Sequence, residues 1–401
     1  KKIAVKDVNY YEELFKKDSA DIIEGANGSI NLNAGGNVNV KDIYTVSSTS
    51  KNEYINSFNY SRESLSKTSS NEAKIVGSNV NINAEKDINI KGSSIGTNEG
   101  LISKDDKTEY VQGDINLNAK NNVVIEDSQE SYSKKSSSAQ SSVEKGLASV
   151  KWSDKETNAS LSKGSNISTS GNLNISSGNN VVLKGSNIET GANTSINAKN
   201  NIDILDGRNT VEESTSDTRY QVLGGGNTTT EKKSSTSKGS SISTGGKIEL
   251  NSGNNIKIVN GTLNSSKNTE IIAKNDVSIE AGKNEYSEKT TTTSVGIYAD
   301  GSAGIGGVGV SGSASTADMS ASGEISSEWG ASGSVSKKLD GSNEKTPTTS
   351  GKPHMDQLVN SEVGLKIEHS TKQIDEATWS ESQLKGDNIA IKAGNTVDIG
   401  G

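Results

Sequence analysis

The chain contains no cysteine, and only two prolines, two phenylalanines and two histidines occur among its 401 residues. Without cysteine, disulfide bonds, thiolate metal ligands and a cysteine nucleophile are excluded. Hydrophobic residues make up 29% of the chain and aromatic residues 4%, which is too little for a thick globular core. No run of 18 apolar residues occurs, so the sequence predicts no transmembrane helix.

The charge balance is acidic, with 42 Lys and Arg against 50 Asp and Glu and a net charge of −8. A broadly acidic surface argues against nucleic acid and against anionic lipid as the main partner. Charged residues are nevertheless only 23% of the chain, so it does not have the composition of a charged disordered polymer. A thin, repetitive fold reconciles the small apolar content with an ordered chain, because each repeat covers its neighbours.

A short internal repeat organises the sequence. The segment 164–184 (GSNISTSGNLNISSGNNVVLK) aligns with the segment that follows it (GSNIETGANTSINAKNNIDIL). In this alignment Ile167 falls on Ile188 and Val181 on Ile202. The period is about 21 residues, and a fixed period of this length is typical of a solenoid.

Within one repeat, apolar and polar residues alternate, as in Leu173-Asn174-Ile175 and Ile202-Asp203-Ile204. This is the period of a β-strand, and Gly, Asn and Ser close each short run as turn residues do. Three short strands and three turns in one repeat predict one coil of a parallel β-helix. The fold class expected from the sequence is therefore all-β.

Two columns of small or polar residues recur at fixed positions in the coils. Asn or Asp precedes one strand in seven of eight coils, with Thr396 in the eighth; these residues are Asn37, Asp87, Asn122, Asn180, Asn201, Asn255 and Asp276. Asn and Asp tolerate turn conformations, and stacked side-chain amides can form a ladder along the axis. Three residues earlier the column contains only Ala and Ser, which predicts a tight inward corner.

Eight coils are recognisable between residues 28 and 401, whereas residues 1–27 are compatible with either a short helix or the returning arm of an excursion. The chain lacks an initiating Met and a visible cap, so we expect it to be a piece of a longer protein. Long excursions rich in Ser, Thr, Lys and Glu interrupt the coils at about 44–74, 126–163, 208–238 and 283–385.

The excursions are either long projecting β-hairpins or flexible loops. Sustained alternation from Ala321 to Val335 favours strands. In the third excursion, strand-forming residues flank Gly224–Asn227, which predicts a hairpin turn at these glycines.

All three tryptophans and most tyrosines fall in the excursions. We single out Trp152, Tyr220, Trp329 and Trp379 as candidate contact residues, because Trp and Tyr tend to dominate binding energy at interfaces. The alternative is that these rings pack across strands inside the hairpins. The pattern leaves both interpretations open.

Coils of the form GxIxIxAxxNVxI, broken by Ser/Lys-rich segments and by the Gly-rich segment 296–315, resemble the haemagglutinin repeats of filamentous haemagglutinin-like exoproteins. This group includes adhesins and contact-dependent growth inhibition effectors of two-partner secretion systems in Gram-negative bacteria. The resemblance implies a right-handed parallel β-helix shaft, secreted through an outer-membrane transporter barrel and located at the cell surface. It implies adhesion to a target-cell receptor or glycan, or delivery of a toxin across a target outer membrane. We expect a monomer that does not bind nucleic acid.

The enzyme alternative is a polysaccharide-active β-helix protein. Such an enzyme needs two carboxylates facing each other, whereas the acid pairs Asp105-Asp106 and Glu212-Glu213 are adjacent and would point to opposite faces of a strand. His354 and His369 are expected to be solvent-exposed loop residues rather than a metal pair. No catalytic residue, metal site or cofactor is predicted, and we expect a non-enzymatic protein.

Overall fold

The computed structural model describes residues 22–24, 28–97, 101–104, 107–110, 113–144, 147–305, 308–315, 321–326 and 359–400. Every regular element in these ranges is a β-strand, so the expectation of an all-β chain is confirmed there. Accordingly, this part of the chain offers no helix of the length and apolarity needed to cross a membrane.

Twenty-four strands of three to six residues form three parallel sheets of eight strands each. Sheet 1 consists of Ile22–Glu24, Lys74–Gly77, Ser94–Thr97, Asn166–Thr169, Asn187–Thr190, Ser241–Thr244, Thr262–Ser265 and Gln383–Lys385. Sheet 2 consists of Ile30–Ala34, Val80–Ala84, Ile115–Ala119, Leu173–Ser177, Thr194–Ala198, Ile248–Ser252, Asn268–Ala273 and Asn388–Ala393. Sheet 3 consists of Val38–Lys41, Ile88–Lys91, Val123–Glu126, Val181–Lys184, Ile202–Leu205, Ile256–Val259, Val277–Glu280 and Val397–Ile399.

The chain visits sheets 1, 2 and 3 in turn and then returns to sheet 1 beside the strand it left. We call one such circuit a coil and the three sheets together the shaft. Residues that the alignment of the two repeats superposes are partners in the ladder, including Ile167 with Ile188 and Val181 with Ile202. Like residues are therefore stacked along the shaft.

The core of the shaft is one cluster of inward-facing aliphatic side chains contributed by all three sheets. In the strand Ile202–Leu205, Ile202 and Ile204 are 1% exposed while Asp203 between them is half-buried. Fully burying one Ile stabilises a fold by roughly 1.5–3 kcal/mol, so a thin column repeated in every coil suffices. The Ala/Ser column is also buried in the six central coils, at Ala84, Ala119, Ser177, Ala198, Ser252 and Ala273.

A further sheet, which is antiparallel, is formed by the strands of the four excursions, and we call it the lateral sheet. It consists of Ile43–Asn56, Asn59–Asn71, Ser128–Glu144, Leu147–Lys163, Gly207–Gln221, Gly224–Lys238, Gly282–Ile305, Val308–Ser315, Ala321–Ser326 and Val359–Ser380. Consecutive excursions are hydrogen-bonded to one another, for example through the pairing of Leu147–Lys163 with Gly207–Gln221. The short strands Leu101–Lys104 and Lys107–Tyr110 pair separately.

All four excursions leave the shaft at the same corner, between sheet 3 and sheet 1, and they do so in every second coil. In the intervening coils the chain turns directly at Gly92, Gly185 and Asn260, which have left-handed φ angles of 54°, 54° and 48°. A pair of strands is about 9.6 Å wide, which equals the rise of two coils. With one two-stranded hairpin for every two coils, neighbouring hairpins therefore lie at the spacing of hydrogen-bonded strands.

The turn of the third excursion lies at Val222 and Leu223 and not at the glycines, so the predicted turn at Gly224–Asn227 is wrong. The glycines are in a strand, and Gly225 is the partner of Tyr220. A Cβ atom on Gly225 would lie 3.0 Å from Cδ1 of Tyr220. The same Cβ would lie only 2.6 Å from the carbonyl oxygen of Arg219, so glycine is needed here because the neighbouring strand leaves no room for a side chain, and not because the chain reverses.

The strand register predicts unequal effects of two neighbouring substitutions. Ile202→Asp places an unpaired carboxylate in the core and should lower the free energy of unfolding by about 3 kcal/mol or more. Asp203→Asn, on the outward side of the same strand, should change it by less than about 0.5 kcal/mol, and any change should be a gain, because burial raises the pKa of Asp203 and disfavours its charged form. Chemical denaturation of both variants measures this, and equal losses would contradict the register.

Candidate contact surface

The lateral sheet brings Phe58, Trp152 and Tyr220 from three different excursions into one aromatic cluster. The Trp152 and Tyr220 ring centroids are 5.6 Å apart with an interplanar angle of 77°, and those of Phe58 and Trp152 are 6.5 Å apart at 65°. These edge-to-face contacts are in the favourable range for aromatic pairs. Tyr220 is 60% exposed and Phe58 53% exposed, so the cluster presents ring surface to solvent.

The cluster belongs to a row of residues that crosses the sheet. Tyr60, Ala139, Trp152 and Thr218 are successive partners on four neighbouring strands. Directly opposed residues share a face of the sheet, so the rings of Tyr60 and Trp152 project on the same side. Ala139 between them is only 4% exposed, which indicates that the larger neighbouring side chains close over it.

Exposed aliphatic residues continue this face toward the strand Val359–Ser380. Val295 and Ile367 are partners on adjacent strands, as are Ile297 and Leu365 two residues further along. All four are at least 38% exposed. The N–H of Ile297 donates to the carbonyl oxygen of Leu223 at 3.2 Å, which joins them to the turn beyond Tyr220.

The candidate residue Trp379 is distant from the aromatic cluster. Trp379 is 57% exposed and pairs with Lys283 on the strand Gly282–Ile305. In the register of the sheet the row of Trp152 reaches His369, ten residues from Trp379, or roughly 33 Å along the strand. Trp329 lies outside the described residues.

Several charged side chains elsewhere on the lateral sheet are paired with a charge on a neighbouring strand. Lys135 contacts Glu156 at 3.1 Å. Glu212 contacts Lys233 at 3.5 Å, and Glu213 contacts Lys155 at 3.6 Å. The adjacent carboxylates Glu212 and Glu213 thus have separate partners on opposite faces, as the strand period requires. Asp105-Asp106 lies outside the described residues.

His369 is in a strand and not in a loop, contrary to the expectation from the sequence. Its Nδ1 lies 2.9 Å from the hydroxyl of Thr293, its partner on the adjacent strand. His354 lies outside the described residues. Within the described ranges, no group of three or more His, Asp and Glu is arranged to hold a metal ion.

The Asn/Asp column forms a continuous series of hydrogen bonds along the shaft. Each side-chain oxygen accepts from the backbone N–H of the equivalent residue in the next coil, at 3.0–3.2 Å, from Asn37 through Asp87, Asn122, Asn180, Asn201, Asn255 and Asp276 to Thr396. Each side-chain oxygen thus accepts from a backbone N–H in the turn just before a strand of sheet 3, so that this N–H has a hydrogen-bond partner. Most of these residues are half-buried, so water competes only partly for the donor.

A second series of hydrogen bonds lies at the corner between sheet 3 and sheet 1, where the excursions leave the shaft. It was not predicted from the sequence. The N–H groups of Ser93, Ser165 and Ser186 donate to the hydroxyl oxygens of Ser165, Ser186 and Ser240 at 3.0–3.2 Å. All four serines are at most 1% exposed. The recurring dipeptide Gly-Ser at 164–165, 185–186 and 239–240 is the signal that could have identified them.

The roots of the excursions are joined by a repeated contact that contains one buried carboxylate. In three places a serine N–H donates to a side-chain oxygen at the start of the next excursion: Ser70 to Glu130 at 3.0 Å, Ser162 to Asn209 at 2.7 Å and Ser237 to Asn284 at 2.7 Å. Glu130 thus takes the place that Asn holds at the other two roots. Burial raises its pKa, although the Ser70 N–H and the ammonium of Lys163, 3.9 Å away, oppose this.

Repeated coils of parallel strands with an attached antiparallel sheet define the class of repetitive, surface-presenting β-proteins. Within this class, the chain belongs to the hemagglutinin repeat family, whose profile matches residues 55–152, 148–228 and 222–340, more than half of the chain. The resemblance inferred from the coil pattern is confirmed. Membership indicates the shaft region of a filamentous haemagglutinin-like bacterial adhesin, secreted or at the cell surface. No curated protein and no solved structure shows significant similarity to the chain.

The Asn column predicts a measurable loss on substitution at its centre. Asn201 Oδ1 accepts from Asn255 N–H and from Asn254 Nδ2, so Asn201→Leu should lower the free energy of unfolding by about 1–3 kcal/mol. The control is Asn197→Ala, an exposed Asn in the same coil, for which we expect a change within about 0.5 kcal/mol. Denaturation curves that do not distinguish the two variants would show that the column adds no stability.

Glu130 predicts a pH-dependent stability. Its folded-state pKa is raised, so the folded protein binds this proton more tightly than the unfolded chain. The free energy of unfolding therefore falls as pH rises from the unfolded pKa, about 4.3, through the folded value. Glu130→Gln keeps an acceptor for Ser70 and removes the charge, so the variant should gain stability relative to wild type between pH 4 and 8.

The matched control for Glu130 is Glu156→Gln. Hydrogen bonds from Asn158 and Lys135 lower the pKa of Glu156, so its contribution is present above the unfolded pKa and lost as pH falls. This variant should lose stability relative to wild type over the same pH range. Melting temperatures of the three proteins at several pH values measure the two slopes, and parallel curves for wild type and Glu130→Gln would refute the assignment.

Proposed function

We propose that the shaft is a right-handed parallel β-helix whose coils have a period of about 21 residues, extending over residues 28–401. Support comes from the circuit through sheets 1, 2 and 3 and from ladder partners that are 21 residues apart in the sequence, such as Val181 and Ile202. Successive strands of one sheet are linked by a crossover through the other two, and such crossovers are right-handed in about 98% of parallel sheets. Of residues 1–27, only the strand Ile22–Glu24, which pairs with Lys74–Gly77 at the end of sheet 1, is assigned to the shaft.

The excursions, in our proposal, are β-hairpins that project from the shaft as one accessory layer and present the contact surface. They extend over about 44–74, 126–163, 208–238 and 283–385. The observation that carries this proposal is the exposed aromatic cluster of Phe58, Trp152 and Tyr220. The outer strands of the shaft offer mainly repeated Asn, Lys and Ser, which distinguish poorly between partners, whereas Trp and Tyr dominate many interfaces.

The biological role that fits these features is the non-enzymatic shaft of a secreted adhesin or of a contact-dependent growth inhibition effector of a Gram-negative bacterium. Its partners are the transporter barrel of two-partner secretion during export, and a target-cell receptor, a glycan or a target outer membrane afterwards. The protein acts as a monomer. No observation within the described residues favours the alternative of a polysaccharide-active enzyme.

Removing hairpins tests the contact surface. Replacing residues 43–71, which form the edge of the lateral sheet, by a short Gly-Ser linker should leave the melting transition of the shaft in place, because the shaft core contains no residue of this hairpin. Attachment of the protein to target cells should fall at least tenfold. Replacing residues 208–238 in the same way should have the same effect.

The control for these replacements is Asn197→Ala on the shaft, which should attach like the wild type. Circular dichroism establishes that each variant keeps its strand content and its cooperative melting. Undiminished attachment after removal of each hairpin would place the contact surface on the coils and refute the proposal.

A further inference from the structure

A shallow groove of about 490 Å³ lies on the lateral sheet beside the aromatic row. It crosses five strands, and seven of its thirteen lining residues are serines or asparagine. Ser137, Asp154 and Ser216 are successive partners in it, two residues along the strands from the row of Ala139, Trp152 and Thr218. Residues two apart in a strand share a face. The groove and the rings therefore open on the same side.

Within the described part of the chain, two charged groups in this groove lack a protein partner of opposite charge. Arg62, Ser137 and Asp154 are partners in one row, so Arg62 and Asp154 are two strand spacings, about 10 Å, apart. The guanidinium of Arg62 lies over the ring of Tyr60, 5.2 Å from its centroid. Among the described residues neither Arg62 nor Asp154 forms an ion pair or a side-chain hydrogen bond. The next row differs, since Lys135 and Glu156 are paired there.

This arrangement provides the three contacts that a sugar ring requires. A guanidinium donates up to five hydrogen bonds and a carboxylate accepts several, so Arg62 and Asp154 can hold hydroxyl groups at separate points along one saccharide chain. The serine hydroxyls of the groove both donate and accept. The ring of Trp152 at one side offers flat apolar surface with a negative face, against which the C–H face of a sugar can pack.

Positive and negative side chains are equal in number in the groove, and this favours an uncharged sugar over a charged one. The charged side chains that project on this face are two cations and two anions: Arg62, Lys135, Asp154 and Glu156. A strongly anionic glycan would meet no net positive charge here, and the chain as a whole carries −8. An uncharged ligand avoids repulsion by the acidic protein, and it avoids the free-energy cost of removing water from charged groups of its own.

We propose that this groove binds a neutral saccharide chain, with a sugar ring against Trp152 and hydroxyl groups on Arg62, Asp154 and the serines. The inference rests on the proposed function, in which the lateral sheet is the contact surface, and it names the ligand class. The site combines residues from three hairpins, Arg62 from the first, Ser137 and Asp154 from the second and Ser216 from the third. No single hairpin would bind alone.

Titration of the purified chain with neutral oligosaccharides tests the proposal. The probes are malto-, cello-, manno- and galacto-oligosaccharides of two to six residues, with heparin fragments as the anionic comparison. Calorimetry and tryptophan fluorescence report binding. At least one neutral series should saturate the protein with a Kd below about 1 mM. Trp152→Ala and Asp154→Asn should each weaken its binding at least tenfold, and Trp152→Phe should retain more affinity than Trp152→Ala.

Matched controls lie on the same sheet outside the groove. Trp379→Ala removes a tryptophan that is more exposed than the half-buried Trp152, and Asp375→Asn an exposed carboxylate; both should bind as the wild type does. Melting curves establish that Trp152→Ala is folded, and Asp154→Asn is a surface change that keeps the shape of the side chain. Absence of saturation with every neutral series, preference for heparin, or unchanged affinity in both groove variants would overturn the proposal.

The outcomes separate this inference from the proposed function. If no saccharide binds but removal of residues 43–71 still abolishes attachment to cells, the groove proposal is wrong and the contact surface remains the lateral sheet. If a saccharide binds and the groove variants lose it, while hairpin removal leaves attachment unchanged, the groove is real and the proposed function is wrong.

Discussion

The hydrogen-bonded register between successive coils is the constraint on which the rest of the structure depends. Each backbone group of a central shaft strand is satisfied by the coil before or the coil after, so equivalent residues stack. A slip of one residue would turn Ile202 outward and Asp203 inward and would expose the whole column. With an aliphatic column only a few side chains wide, the shaft has no other core that could compensate.

The same spacing creates the lateral sheet. Direct turns at Gly92, Gly185 and Asn260 alternate with hairpins, so one two-stranded hairpin arises for every two coils. The shaft rises by two strand spacings over that interval, about 9.6 Å, and a hairpin is two strands wide. The hairpins consequently meet edge to edge at hydrogen-bonding distance. Their pairing needs little apolar surface, which explains how Ser- and Thr-rich strands remain ordered beside the shaft.

This geometry converts distant sequence positions into one surface. Trp152 and Tyr220 are far apart along the chain, yet the register of two hairpins brings their rings into contact. The shaft supplies position, while the hairpins supply chemical variety in a row of rings, a polar groove and an exposed aliphatic area. In the proposed function, a repetitive support with variable projections suits a protein that holds a recognition surface away from the cell, because changes in a hairpin leave the shaft core untouched.

The sequence by itself determined the repeat period, the strands of the shaft, the inward column and the position of the Asn column, because each depends only on neighbouring coils of like sequence. Tertiary structure alone decided the turn at Val222 and Leu223, the burial of Glu130 and the contact between Trp152 and Tyr220. In the hairpins, small hydroxyl residues occupy both faces, so their alternation is weak and cannot fix a register. There the register follows from where each hairpin leaves the shaft, which is a property of the assembled coils.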